Sequence, residues 1–302
     1  MNMIKFFFTI FIPCTAMIVN CSPKYIGIKS LAKDPQALRI MSFNIRRDGA
    51  EPKLEYTWNK RKNVLIELIR DFDPDIISLQ EAKNNQIKDI IQAFNQKYDW
   101  IGEGRKDKKW LIFSEPGEHA PILYKKNICK VANSGTFWLN KDQKKGKPGW
   151  GATLNRICTW GKFTLKNQPQ PLFVFNTHLD NSSQEARTQG LQLILNFIDA
   201  KTRGADPLIL TGDFNEDRVA SKYSTIIKNR IFDTDHLADL NNAAFGVSGS
   251  FGWGKPRPGI IDYIFINNKN YFDVLHSMRV SRTDERPVSD HSALVVDVVI
   301  KK

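Results

Sequence analysis

The feature that most limits how this chain folds is a succession of short apolar runs, several of them consecutive and many ending in an acid, an amide or a histidine. Pro207-Leu208-Ile209-Leu210 is an example. It has the length of a buried strand, and Thr211-Gly212-Asp213-Phe214-Asn215 follows it. Gly212 is expected to end the strand and turn the chain sharply, leaving an acid and an amide where open α/β sheets place their chemistry. Similar runs are expected to form strands at 38–45, 76–81, 120–124, 136–139, 157–165, 172–178, 260–266, 274–280 and 293–299, with 260–266 and 274–280 paired. Helical spacing of apolar residues marks Trp58–Phe72, a second segment carrying Ile87, Ile90, Ile91 and Phe94, Ser182–Ile198, and a stretch near 217–228. Strands that follow one another without a helix between them exclude a plain βαβ repeat. They favour two mixed sheets packed face to face with helices outside.

The first residues stand apart from this pattern. Lys5 precedes an apolar stretch, Phe6–Val19, that is too short to span a bilayer and has the length of a signal-peptide core. Ile18-Val19-Asn20-Cys21 resembles a bacterial lipoprotein cleavage site, although Asn20 stands where a small residue is usual. Residues 1–20 are therefore expected to be a signal peptide of lipoprotein type, with Cys21 lipidated. Simple secretion and an uncleaved anchor are the alternatives. Residues 21–36 form a linker and 37–302 the domain. The net charge is +12, and Lys5 is the one charge in the leader, so the mature chain carries +11. A basic balance of that size favours a polyanionic partner such as nucleic acid or a phospholipid surface. Cys129 and Cys158 remain after cleavage. They have no metal-type spacing, and whether they pair is open.

The polar residues bordering apolar runs are Asn44, Glu81, His178 with Asp180, Asp213 with Asn215, Asp262, and Asp290 with His291. Each alone has a plain structural explanation: a turn for Asn44, a cap for Glu81 or Asp180, a satisfied core ring for His178, a neighbouring partner such as Arg257 for Asp262. Six such sites, with no thiol set and no glycine-rich phosphate loop, point to one cluster. Glu81 and Asp290 are hard oxygen ligands suited to Mg²⁺ or Mn²⁺. Histidines held by carboxylates activate water or steady a phosphoryl transition state.

Ser42-Phe43-Asn44, Leu79-Gln80-Glu81, Asn176-Thr177-His178-Leu179, Thr211–Asn215, Ile261-Asp262-Tyr263-Ile264-Phe265 and Ser289-Asp290-His291 resemble, in order and rough spacing, the motifs of the endonuclease/exonuclease/phosphatase superfamily. The likeness covers about residues 38–299. It implies an α/β fold: a four-layer α/β sandwich of DNase I type, two mixed β-sheets face to face with helices outside. It implies Glu81 as principal metal ligand with Asn44 and Asp290, and His178 on the scissile phosphate. It also implies Asp213 and Asn215 at the water, and His291 paired with Asp262. Whether Asp213 or His291 is the base stays open. Trp58-x-x-Arg61, Gly102-x-Gly104-Arg105, Gly117-Glu118 and Gly135–Leu139 resemble a bacterial branch of the superfamily. Arg105 and Glu118 are candidate substrate contacts, with a loop salt bridge as the alternative. Asp180 is a further metal-site, water-orienting or substrate-binding candidate, with an N-terminal helix cap as the alternative. Trp138 is expected in the core, and Trp150 in the basic loop 141–150 to stack on a base.

The expected function is a secreted or lipid-anchored, Mg²⁺-dependent phosphodiesterase, monomeric, acting on nucleic acid. The basic loops at 105–109 and 141–147 favour it. The alternatives are a sphingomyelinase-like phospholipid phosphodiesterase, a sugar- or inositol-phosphate phosphatase, or a non-catalytic binding lipoprotein. No long exposed apolar hairpin supports the lipid reading, and the full acid–histidine set argues against a pure binder.

Overall fold

Strands buried on both faces need apolar residues at successive positions, whereas strands with one wet face alternate. The central runs of this chain are of the first kind, and helices and a second sheet cover them. The computed structural model describes residues 32–106, 117–202, 206–217, 227, 230–234, 251–252, 255–256, 260–267, 270–280 and 288–301. In chain order the elements are β1 (Leu38–Asn44), α1 (Trp58–Phe72), β2 (Ile76–Gln80), α2 (Asn84–Ala93), β3 (Tyr98–Ile101), β4 (Ile122–Lys125), β5 (Cys129–Trp138), β6 (Ile157–Leu165) and β7 (Leu172–His178). They continue with α3 (Gln184–Thr202), β8 (Leu208–Asp213), β9 (Phe232–Asp233), a small hairpin of β10 (Phe251–Gly252) and β11 (Lys255–Pro256), β12 (Asp262–Ile266), β13 (Phe272–Val280) and β14 (Ala293–Ile300).

Two six-stranded mixed sheets result, in the orders β13-β14-β1-β2-β4-β3 and β5-β6-β7-β8-β12-β9. Alternate residues of one strand serve different layers. Ile40 and Val174 belong to the core between the sheets. Met41 and Phe43 meet α1 and α2 through Leu65, Ile69, Ile87 and Ile90. Phe173 and Phe175 meet α3 through Leu191, Ile194 and Leu195. The layers are therefore helix, sheet, sheet, helix, the four-layer sandwich expected.

Each sheet contains one parallel pair joined by a crossover helix, β1 with β2 through α1 and β7 with β8 through α3. The carboxyl ends of these four strands lie along one edge of the sandwich. The antiparallel β12 starts at that edge, with Asp262 opposite Asp213, and β14 follows the loop that carries Asp290 and His291. At the other end, Arg39 binds Asp297 and Lys125 binds Asp75, all four side chains buried.

Several expectations need correction. The runs 260–266 and 274–280 are not partners: β12 sits between β8 and β9, and β13 pairs with β14 in the other sheet. A short polar connection resembles a hairpin turn, but here the chain passes from one sheet to the other. β12 is buried at every position, as an inner strand must be, whereas β13, at a sheet edge, is exposed or half-exposed at the four positions after Phe272. β5 extends well before 136, because its first half is an edge strand with a bulge between Val131 and Asn133 and polar residues facing out. β3 was not expected; it is four residues long and only Tyr98 is fully buried. Gly212 does not turn the chain but lies inside β8, where a Cβ would stand 2.4 Å from the Thr177 carbonyl oxygen of β7. It is there for close approach of two backbones. Cys129 and Cys158 are free and buried, on β5 and β6. The leader, Cys21, residues 107–109 of the basic loop, Arg257 and most of the helix expected near 217–228 lie outside the described residues. Among the described residues no helix is long and apolar enough to cross a membrane.

Candidate active site

Glu81 comes one residue after β2 and adopts φ 60°, a left-handed conformation that costs a non-glycine residue about 1 kcal/mol or more. That geometry turns its carboxylate onto donors from β1 and the loop after it. Asn44 Nδ2 donates to Oε1 at 3.2 Å, and the Arg47 backbone N–H donates to Oε2 at 3.2 Å. Burial alone would raise the Glu81 pKa, but the Arg47 N–H, the Asn44 amide and the charge of His291 outweigh it and hold the pKa below its usual value. Asn44 is wholly buried and also donates to Asp213 Oδ2 at 3.0 Å. It thus presents to the acids an amide nitrogen, which has no lone pair for a cation.

Asp213 is the hub. Its Oδ2 lies 3.5 Å from His178 Nε2 and 3.7 Å from His291 Nε2, and its Oδ1 accepts the Asn215 N–H at 3.0 Å. Asn215 itself stands at φ 51° and ties its side chain to the Leu179 carbonyl. Asp262 Oδ2 lies 2.8 Å from His291 Nδ1, while its Oδ1 is buried with no hydrogen-bond partner among the described residues. Burial and the Asp262 charge raise Asp213 to about 7. Burial works against a charged His291, but Asp262 and Asp213 outweigh it and lift the ring to about 10, so it is protonated at neutral pH. His178 is pushed the other way by burial and by the charges of Arg156 and Arg105, and stays neutral. Two histidines flanking one carboxylate therefore hold opposite protonation states.

Asp290 is anchored by the loop before β14. Ser289 Oγ donates to the Asn44 carbonyl at 2.6 Å, and Arg46 Nη1 lies 3.5 Å from Asp290 Oδ2. Burial raises the Asp290 pKa against the pull of His291, and the charge of Glu81 adds to the rise. Two hard carboxylates that repel one another in a buried cleft suit a divalent cation. Asp213, Asp262 and His291 also bring three ligand atoms within 4.8 Å of one another. A protonated His291 offers no lone pair, so that trio suits proton handling and the Glu81–Asp290 pair suits the metal.

The cleft holds about 260 Å³ and is lined by Glu81, His178, Asp213, Asn215 and His291 together with Arg105 and Glu118. Asn44 lies beneath it and Asp262 stands behind His291. Arg105 and Glu118 form a buried ion pair at 2.7 Å in the wall, so each is both a salt-bridge partner and a lining residue. Asp180 is buried away from the cleft. Its Oδ1 accepts the N–H groups of Ser182 and Ser183 ahead of α3, and its Oδ2 holds Arg156 Nε at 3.3 Å. Trp138 is buried, and Trp150 packs against the α3 core, half-buried. The sequence reading passed over Arg46, Arg47 and Arg156, all of which line the cleft. Arg156 carried a usable signal, a charge directly before the apolar run of β6, but at the amino end of a strand rather than the carboxyl end.

The sequence profile described as the Endonuclease/Exonuclease/phosphatase family matches residues 41–291, from β1 to His291. The chain belongs to that family. Phosphoester hydrolysis is the family's chemistry. An endonuclease/exonuclease/phosphatase protein from Bacteroides vulgatus is 31% identical, with a TM-score of 0.77 over 88% of this chain and 99% of that one. A mannosyl-6-phosphatase from Bacteroides thetaiotaomicron is 28% identical, with a TM-score of 0.77 over 87% of this chain and 100% of that one. Nocturnin of Drosophila melanogaster is 25% identical over 206 residues, 63% of this chain but 30% of Nocturnin.

Proposed function

We propose that this chain is a divalent-metal-dependent phosphoester hydrolase. One observation carries the reading: Glu81, His178, Asp213 and His291 line a common cleft, with Asp290 electrostatically coupled to Glu81 and His291. Glu81 and Asp290 would hold Mg²⁺ or Mn²⁺, which supplies charge neutralisation at the phosphoryl and leaving oxygens. Asp213, deprotonated above about 7, accepts the proton of the attacking water, and Asn215 fixes its orientation. A protonated His291 cannot serve as that base. It donates to the phosphate instead, held by Asp262. Neutral His178 contacts the phosphate without drawing the negative charge of Asp213 out of play.

Nucleic acid as substrate is supported by the exposed Lys141, Lys144, Lys145 and Lys147 on one loop and by the likeness to Nocturnin. A phosphorylated sugar is supported by the likeness to the mannosyl-6-phosphatase. Export and anchoring through Cys21 belong to the same proposal. Mass spectrometry of the N-terminal peptide from the native host checks it, and an unmodified Met1 start would remove it. The hydrolase reading is tested by assaying the purified protein with Mg²⁺, and with excess EDTA, against plasmid DNA, RNA, sphingomyelin and phosphate monoesters. Turnover of at least one ester with Mg²⁺, abolished by EDTA, is expected. Full turnover in EDTA would count against the metal, and none on any ester against the hydrolase.

A further inference from the structure

Three guanidinium groups make up one wall of the cleft, and the hydrolytic steps above use none of them. Arg105 and Arg156 are more than nine-tenths buried. Glu118 Oε1 binds both Arg105 Nη2 at 2.7 Å and Arg47 Nη1 at 3.2 Å. Arg156 is held from behind by Asp180 Oδ2 at 3.3 Å and by Asn181 Oδ1 at 3.1 Å. Among the described residues, nothing takes Arg105 Nε and Nη1 or Arg156 Nη1. Arg47, Arg105 and Arg156 line the 260 Å³ cleft, and Arg105 and Arg156 also line a water-sized hollow of about 10 Å³ that touches Glu81 and His178. The Arg105 and Arg156 side chains are buried as a whole, but these donors are not sealed from water, so an anion entering the cleft can take them with charge-assisted hydrogen bonds. The carboxylates fix the forks in place, which leaves little ordering to be done on binding.

We propose that Arg105 and Arg156, with Arg47 at the rim, form a subsite for the unesterified oxygens of a terminal phosphate, so that the enzyme prefers phosphomonoesters to internal phosphodiesters. The proposal rests on the hydrolase reading and names its substrate class. A monoester carries close to two negative charges at neutral pH and three free oxygens, and forked guanidiniums match such oxygens in pairs. A diester has one charge and must turn its second ester arm towards some part of the cleft. Against this wall that arm leaves two buried guanidiniums facing a neutral oxygen, the kind of mismatch that discriminates by several powers of ten. In the reaction, water oxygen bonds to phosphorus as the ester P–O bond breaks. One water proton passes to Asp213, the leaving oxygen takes a proton from solvent to become an alcohol, Asp213 returns its proton to solvent, and inorganic phosphate keeps the second water proton.

The test uses the full chain with Mg²⁺, p-nitrophenyl phosphate and bis(p-nitrophenyl) phosphate, and the variants Arg156→Gln, Arg156→Lys and Arg105→Lys. Wild type is expected to prefer the monoester by at least about 100-fold in kcat/KM. Arg156→Gln should lower monoester turnover by about the same factor and change diester turnover by less than about threefold. The lysine variants keep the charge without the fork and guard against misfolding; they should fall about tenfold on the monoester. A hexose 6-phosphate and a 5′-phosphorylated oligonucleotide, run in parallel, tell a sugar source from a strand end, and loss with either substrate in the variants supports the subsite. A second measurement does not depend on turnover: inorganic phosphate without metal should raise the melting temperature of wild type and not of Arg156→Gln. If no ester is hydrolysed but that shift follows Arg156, the hydrolase reading falls and the anion subsite stands. Parallel loss on both esters, a wild-type preference for the diester, or a phosphate shift indifferent to Arg156 would overturn the subsite.

Discussion

At the scale of single residues, the cleft separates groups that hold a cation from groups that move a proton. Two substitutions distinguish these roles. Glu81→Ala should abolish the rise in melting temperature that Mg²⁺ gives the wild type. His291→Ala should keep that rise while turnover falls by about 100-fold or more, as expected for a group acting only on the reacting phosphate. Calorimetric melting with and without Mg²⁺, beside a rate assay, checks both, and near-wild-type behaviour in either variant removes its assignment. Asp213 makes a further prediction about stability. Its folded-state pKa, about 7, lies above the ordinary 3.8. The proton is therefore bound more tightly in the folded state, and the associated stability is complete below about 4 and lost as pH rises through about 7. Asp213→Asn removes that loss. Without divalent metal it should melt a few degrees above wild type at pH 8 and level with it near pH 4. An equal melting temperature at pH 8 would mean that the buried carboxylate carries no such cost.

At the scale of elements, the site is held by contacts well outside it. Arg61 of α1 is fully buried and donates to the carbonyls of Ile45, Arg46, Tyr56 and Val288. It thereby clamps the loop after Asn44 to the loop before Asp290. Arg61→Ala leaves those carbonyls without a donor, at a cost of about 1–3 kcal/mol for each one that water cannot reach. It should also weaken the melting-temperature shift from Mg²⁺, with partial recovery in Arg61→Lys; an unchanged shift would limit Arg61 to stability. Gly212→Ala would drive β7 and β8 apart, since its Cβ meets a backbone oxygen on the neighbouring strand. Loss of about 1–3 kcal/mol in urea unfolding is expected. Inner strands and amphipathic helices were legible in the sequence because burial on two faces, or on one stripe, leaves a periodic mark. Trp58–Phe72 and Leu172–His178 match the expected bounds for that reason. The edge strands β3 and β5 leave a weaker mark, and sheet membership leaves none, which is why 260–266 was matched with the wrong neighbour. His178 and Asp213 stood out because each ends an inner strand, and Glu81 because it directly follows one. Arg47 and Arg156 did not, because a charge in a loop or at a strand start looks the same whether it faces solvent or a cleft.

At the scale of the whole molecule, the question is how far a net charge of +12 governs what reaches the cleft. Lys141, Lys144, Lys145 and Lys147 are exposed on one loop, and Lys145 lies over the Trp138 ring and pairs with Glu103. None of these lysines lines the cleft. A polymer that lies across both would displace many counterions, whereas a small monoester would meet only the guanidinium wall. The two cases differ in their salt response. Binding of a strand that neutralises four lysines should weaken with a log–log slope of roughly −3 for single strands, and charge reversal of Lys144 and Lys145 to Glu should flatten it. Binding of a hexose phosphate should change little over the same range, because its contacts are short, buried and poorly screened. Titration of a fluorescent 5′-phosphorylated oligonucleotide between 50 and about 300 mM salt, on wild type and the double variant, measures this. A slope that is steep and lost in the variant makes the lysine loop part of a nucleic-acid track. If the slope is flat in both proteins, the basic surface has no part in substrate binding and the arginine wall alone selects what is cleaved.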